Sequence, residues 1–122
     1  MKTIIAGSRH FRNITFVFNM IEACPWKITE VISGDANGVD WLGAYWGYLQ
    51  GLKVRHFPAK WEYFGKAAGS KRNQVMIDHG DALVAIWDGK STGTKDIIER
   101  AARHRITSYI VSAIHGTQFV SY

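Results

Sequence analysis

The chain has 122 residues, a formal net charge of +5 and a single cysteine. Hydrophobic residues make up 47% and charged residues 20%, which argues against intrinsic disorder and provides for one hydrophobic core. One cysteine excludes an internal disulfide, no apolar run approaches the ~20 residues that span a bilayer, and no Lys/Arg block of nucleic-acid type is present; the charge asks for an anionic partner without naming one.

Taken in order, short apolar runs alternate with helical stretches. Thr3-Ile4-Ile5-Ala6 reads as a buried strand that ends at Gly7, and it begins too directly for a signal peptide. Asn13 can cap a helix running to about Cys24, with Phe16, Met20 and Ala23 on one face and Pro25 beyond its end. Cys24 reads as a small apolar residue near that helix end, and a reducing cytoplasm is the expected compartment. Glu30–Ser33 is a second strand. Val39 to Gly51 is a helix rich in Trp41, Leu42, Tyr45, Trp46 and Leu49, with Gly51 suited to C′. Lys53–Phe57 is a third strand, stopped by Pro58, and a loop is expected to about Ala68. Ser70–His79 reads as helix ended by Gly80, and Ala82–Trp87 is the most apolar strand. Thr94–Arg103 is a helix with Ile97, Ile98, Ala101 and Ala102 inward. Its cationic end, Arg100 to Arg105, suits the helix dipole without a nucleic-acid role. Ile106–Val111 is a fifth strand, and the tail Thr117–Tyr122 is a candidate edge strand.

Strands alternating with helices imply right-handed βαβ units, hence an α/β domain with a mainly parallel five-stranded sheet covered on both faces. In such sheets ligands bind beyond the carboxyl ends of the strands, where strand order reverses. The residues after the strands are therefore the ones to read. They are Gly7-Ser8-Arg9, then Ser33-Gly34-Asp35-Ala36-Asn37-Gly38-Val39-Asp40, then Asp88-Gly89-Lys90-Ser91-Thr92-Gly93-Thr94. Glycine permits close ligand approach, free N–H groups at a helix start bind anions, and Ser91, Thr94 and Arg9 can add donors. Neither a Walker A loop nor a Gly-x-Gly-x-x-Gly fingerprint is present. The long connection after the third strand offers Trp61 as a stacking face with Tyr63 nearby. It also offers cations at Lys66, Lys71 and Arg72, an amide at Asn73 and the small Gly69. Packing of Trp61 and Phe64 as a small satellite core is the competing reading. Asp40 either favours the helix dipole or binds a ribose hydroxyl, and Asp88 faces the pocket rim. The five histidines show no metal-ligand spacing, and neither a metal nor another cofactor is expected.

Together these loops resemble the SLOG superfamily, in its small YspA-type branch, a Rossmann-like fold related to the DprA/Smf and lysine-decarboxylase-like proteins. The matching segments are Ile5–Arg9, Ser33–Asp40, Pro58–Trp61, Ala68–Asn73 and Ser91–Thr94, which together reach across nearly the whole chain. The resemblance implies a three-layer fold that binds a nucleotide or a nucleotide-derived ligand. Two positions depart from the pattern, Asp35 where glycine is usual and Ser70 where proline is usual. The LOG enzymes of this superfamily, which release a base from a nucleoside monophosphate, carry a glutamate where this chain has Ile97. Asp96 and Glu99 lie on other faces of the helix at 100° per residue, so the catalytic carboxylate is not carried over, whereas Arg72 matches by order.

Three functions follow as expectations. The first is a sensor or sequestering protein for a nucleotide-like small molecule. The second is a nucleotide N-glycosidase drawing on Arg72, Asp96, Glu99 or Asp35. The third is DprA-like binding of single-stranded DNA, for which basic charge and Trp61 speak. The aromatic face around Tyr45 and Tyr48 leads to the expectation of a homo-oligomer, and no membrane partner is expected.

Overall fold

A computed structural model describes residues 1–112 and the backbone of 118–121. The order is β1 (Lys2–Gly7), α1 (Ile14–Glu22), β2 (Glu30–Ser33), α2 (Val39–Leu49), β3 (Lys53–His56), α3 (Trp61–Phe64), a 3-10 turn (Gly65–Ala67), α4 (Ala68–His79), β4 (Ala82–Trp87), α5 (Thr92–Arg103), β5 (Thr107–Ser112) and β6 (Gln118–Ser121). The strands lie in the order β3-β2-β1-β4-β5-β6. The first five run parallel, and β6 pairs antiparallel with β5. Thr117 and Tyr122, the ends of the expected tail strand, lie outside the described residues.

Alternation along the central strands builds two cores, as a doubly covered sheet requires. Ile5 of β1 and Val84 and Ile86 of β4 face α1 and α2, where Val17, Ile21, Leu42 and Trp46 meet them. Ile4, Ala6, Leu83 and Ala85 face the other way, against Met76 and Ile77 of α4 and Ile97 and Ala101 of α5. Helix α2 lies close on the sheet because it carries glycine at two positions one turn apart. A Cβ at Gly43 would come 2.5 Å from Ile5 Cγ2, and one at Gly47 would come 2.9 Å from Val31 and Val54 methyls.

Several expectations are corrected. Helix α1 starts after Asn13, whose side chain accepts the Phe16 N–H, but it buries Val17 and Ile21 and leaves Ala23 at the solvent. Phe16 and Met20 only flank that core. In α5 the inward positions are Thr94, Ile97 and Ala101; Ile98 is half-buried and Ala102 exposed. That helix begins at Thr92, because Ser91 is its cap and accepts the Thr94 N–H. The expected loop of 58–68 holds α3 and the 3-10 turn, and α4 begins at Ala68 without any side-chain cap. A helix start with no capping residue leaves no local signal to read. The third strand stops at His56, and the fifth runs Thr107–Ser112. Cys24 is half-buried, its thiol donates to the Trp26 carbonyl at 3.3 Å, and burial pushes its pKa up.

Gly38 has φ +74°, and a Cβ there would sit 2.5 Å from the Ser8 and Arg9 carbonyl oxygens, whereas one at Gly93 would meet nothing within 4 Å. Gly38→Ala should therefore cost at least about 2 kcal/mol of stability in urea unfolding. Gly93→Ala, in an open helical turn, should be neutral or stabilise by up to about 1 kcal/mol. Equal effects of the two would contradict this packing.

Candidate functional site

Strand order reverses between β1 and β4, and there the loop after β1 and the loop after β4 part to open a cleft. Its volume is about 640 Å³, within the range of small-molecule sites. The floor is held by Ser8, which is fully buried. Its N–H donates to the Ile86 carbonyl at 3.1 Å, its carbonyl accepts the Val39 N–H at 3.4 Å, and its hydroxyl oxygen accepts the Asp88 N–H at 3.0 Å. One residue thus joins β4, the start of α2 and the loop before α5.

The α5 loop turns on Asp88, whose Oδ1 accepts the N–H groups of Lys90 and Ser91 at 2.8 Å each. Burial works to raise the Asp88 pKa, but those N–H groups and the Ser8 hydroxyl outweigh it and hold the carboxyl below its ordinary value. Ser91, Thr92 and Gly93 then line one wall of the cleft, at the N-terminal turn of α5. Trp61, Lys66, Gly69 and Ser70 line the opposite wall, and Arg9 and His10 stand above.

Arg72 and Asn73 connect the walls. Arg72 donates from Nη1 to the Gly34 carbonyl and from Nε to Asn73 Oδ1 at 3.1 Å. Asn73, only 5% exposed, donates in turn to the Gly93 carbonyl at 3.2 Å and to Asp96 Oδ2 at 2.9 Å. Arg100 also holds Asp96 Oδ2, at 2.8 Å. Below Arg72 lies Asp40, 4% exposed, which accepts the Gly7 N–H at 3.3 Å and the Ala36 N–H at 3.4 Å. Burial raises its pKa to about 6, against the pull of Arg72 and of these long hydrogen bonds. Burial likewise lowers the pKa of Arg72, which Asp40 opposes.

The cleft therefore brings together Arg9, Trp61, Lys66, Gly69, Arg72, Asn73, Asp88, Ser91, Gly93 and Asp96. A narrow extension at its base is lined by Gly7, Ala36, Asp40 and Thr94. Other expected residues play different parts. Ser8 is internal, Gly34 offers its carbonyl to Arg72, and Gly38 packs beneath the Ser8 and Arg9 carbonyls. At the start of α2 the Val39 N–H is thus taken up by the β1 loop. Asp35, at φ +60°, turns aside: its Oδ1 lies 2.5 Å from His56 Nδ1, and His56 Nε2 is 2.6 Å from the Tyr48 hydroxyl. Glu99 lies outside the cleft, half-exposed and 3.8 Å from Lys95. His10, Ser70, Lys90 and Thr92 line the cleft although they were not singled out as site residues. Each adjoins a residue that was, and adjacency in a βα loop was the available signal.

No group of three or more His, Cys, Asp or Glu able to hold a metal occurs among the described residues, and none of their helices is long and apolar enough to cross a membrane. On α2, Trp41, Tyr45 and Tyr48 are exposed.

No family model matches the chain. It is 29% identical over 114 positions to the gene 61 protein of Mycobacterium phage D29, covering 84% of this chain and 89% of the relative. Over 40 residues it is 42% identical to YoqJ, an uncharacterized SPbeta prophage-derived protein of Bacillus subtilis, covering 33% of this chain and 23% of that one. Among solved structures it superposes on DNA processing protein A (DprA) from Streptococcus pneumoniae with a TM-score of 0.75 at 17% identity. That match covers 94% of this chain, which spans about half of the neighbour, 52%. The architecture is the Rossmann-like α/β fold of DprA.

Asp40 binds its proton more tightly in the folded chain than in the unfolded one, where its pKa is ~3.9. Its contribution to stability is full below about pH 4 and is lost as pH rises through about 6, with a ceiling of about 3 kcal/mol. Asp40→Asn should therefore gain stability relative to wild type between pH 4 and pH 7 in urea titrations. A difference between the two proteins that does not change with pH would contradict the buried, reluctant carboxylate.

Proposed function

We propose that the cleft binds a nucleotide or nucleotide-derived ligand by its phosphate, and that the chain is a sensor or sequestering protein of the YspA-type branch of the SLOG superfamily. One imbalance of charge carries this reading. Among the described residues Arg9, Lys66 and Lys90 have no carboxylate within ion-pairing distance. Both carboxylates of the cleft, by contrast, are already occupied, Asp88 by backbone N–H groups and Asp96 by Asn73 and Arg100. A site with free cations and satisfied acids favours an anion. The N-terminal turn of α5 adds its dipole, and Trp61, 50% exposed, offers a ring face to a base. Hydrolysis of an N-glycosidic bond fits less well. Ile97 is buried, Asp96 is tethered, Asp35 is turned to His56 and Glu99 is outside the cleft, so none of the carboxylates expected to do this acid–base work is free for it.

A second reading, binding of single-stranded DNA, is favoured by the exposed Trp61, Tyr63 and Phe64 beside Lys66 and Lys71, and by the name of the DprA neighbour.

Calorimetry against nucleoside mono-, di- and triphosphates, cyclic nucleotides and ADP-ribose derivatives separates these. Under the first reading one class binds with a stoichiometry of one. Arg9→Ala, which removes an exposed, unpaired side chain, weakens it about 5- to 20-fold without loss of stability. Absence of any binder in the panel overturns the first reading. Oligonucleotide binding whose affinity falls steeply with salt would establish the second. Free base released from a monophosphate would restore the hydrolase.

A further inference from the structure

A second cavity, of about 750 Å³, lies on the other side of the first turns of α4. Its walls are the apolar Phe57, Pro58, Phe64 and Val75, its lysines are Lys60 and Lys71, and no Asp or Glu lines it. The partition between this groove and the cleft is one stretch of chain whose residues alternate in allegiance. Gly69, Ser70 and Asn73 line the cleft, whereas Ala68, Lys71 and Gln74 line the groove. Arg72 lines both. Its Nη1 and Nε are engaged with Gly34 and Asn73, while Nη2 makes no hydrogen bond among the described residues. Helix α3 repeats the division with aromatic rings: Trp61 lines the cleft and Phe64, 46% exposed, lines the groove. The Lys71 ammonium lies 5.0 Å from the centre of the Phe64 ring, so ring and charge are presented together.

We infer that the groove is a second base subsite and that the ligand of this protein is a dinucleotide, two nucleosides joined through phosphate that passes over Arg72. The inference rests on the reading of the cleft as a nucleotide site. Its own support is the pairing of an aromatic ring with unpartnered cations on each side of a shared, half-engaged guanidinium. An apolar, acid-free groove with a cationic rim suits a flat ring carried by an anionic linker. A mononucleotide would use one side and leave Phe64 and Lys71 idle.

The test compares adenosine 5′-monophosphate, a 3′,5′-linked 5′-phosphorylated diadenosine, a pyrophosphate-linked diadenosine and a ten-residue oligoadenylate by calorimetry, with the same set for the other bases. The expected result is a dinucleotide at least about tenfold tighter than its mononucleotide, because the second base binds as a tethered group. Phe64→Ala and Lys71→Ala, both at exposed positions, should abolish that advantage and leave mononucleotide affinity within about twofold. A dinucleotide no tighter than the mononucleotide, or an advantage that survives Phe64→Ala, overturns the inference and leaves the cleft reading standing. Affinity that keeps climbing to the ten-residue strand replaces two subsites with a nucleic-acid track. Binding of none of these ligands removes the cleft reading and the inference together.

Discussion

The site depends on the buried backbone and hydroxyl of Ser8. Three separate loops must meet at one point on the edge of the sheet, and their backbone polar groups there are wholly or partly withdrawn from water. Ser8 takes one N–H from α2 and one from the α5 loop and gives its own to β4. Without these bonds the loops would carry unsatisfied buried donors, each costing on the order of 1–3 kcal/mol. Gly7 and Gly38 belong to the same constraint, since a side chain at either would push against the neighbouring backbone. The loop glycines here serve the approach of chain to chain before they serve any ligand.

On that floor stands a charge arrangement in two tiers. The lower tier is Asp40 and Arg72, both withdrawn from solvent, with Gly34 between them: a Cβ there would lie 2.8 Å from Asp40 Oδ2 and would also press on the Arg72 guanidinium. The upper tier is Arg9, Lys66 and Lys90, exposed and without acidic partners among the described residues. Burial disfavours both charges of the lower tier and only their mutual attraction and hydrogen bonds sustain them. Arg72 is therefore a poor position for a clean functional substitution, since removing it would strand Asp40. The exposed upper tier can be altered with little structural cost.

The parallel sheet was readable because β1, β2 and β4 are short apolar runs, each with glycine at or just after its end and then a helical pattern, whereas the strand order that puts the reversal between β1 and β4 was not. The helix faces were read less well. Ala23 and Ala102 are apolar but off the buried stripes: at ~100° per residue Ala23 lies roughly opposite Ile21, and Ala102 is turned away from Ile97 and Ala101, so both face solvent. Helix α3 escaped because Trp61–Phe64 is a single turn, shorter than any periodicity can reveal. Most cleft-lining residues were legible as loop residues, but their partners were not. That Asp35 would pair with His56, or Asn73 with Asp96, depends on contacts across 21 and 23 positions of sequence. Asp35 adopts left-handed backbone, a conformation that aspartate tolerates better than most residues.

Strand β3 closes one side of the sheet with only four residues, Lys53-Val54-Arg55-His56. An outer strand leaves one row of peptide groups unpaired, and such rows recruit strands from other molecules. Here the row is brief and carries two permanent positive charges. A second copy adding alongside would set like charges against each other and find little length to pair with. The flank is thereby guarded against edge-to-edge polymerisation, and the guard is built from the same excess of cations that elsewhere faces the cleft.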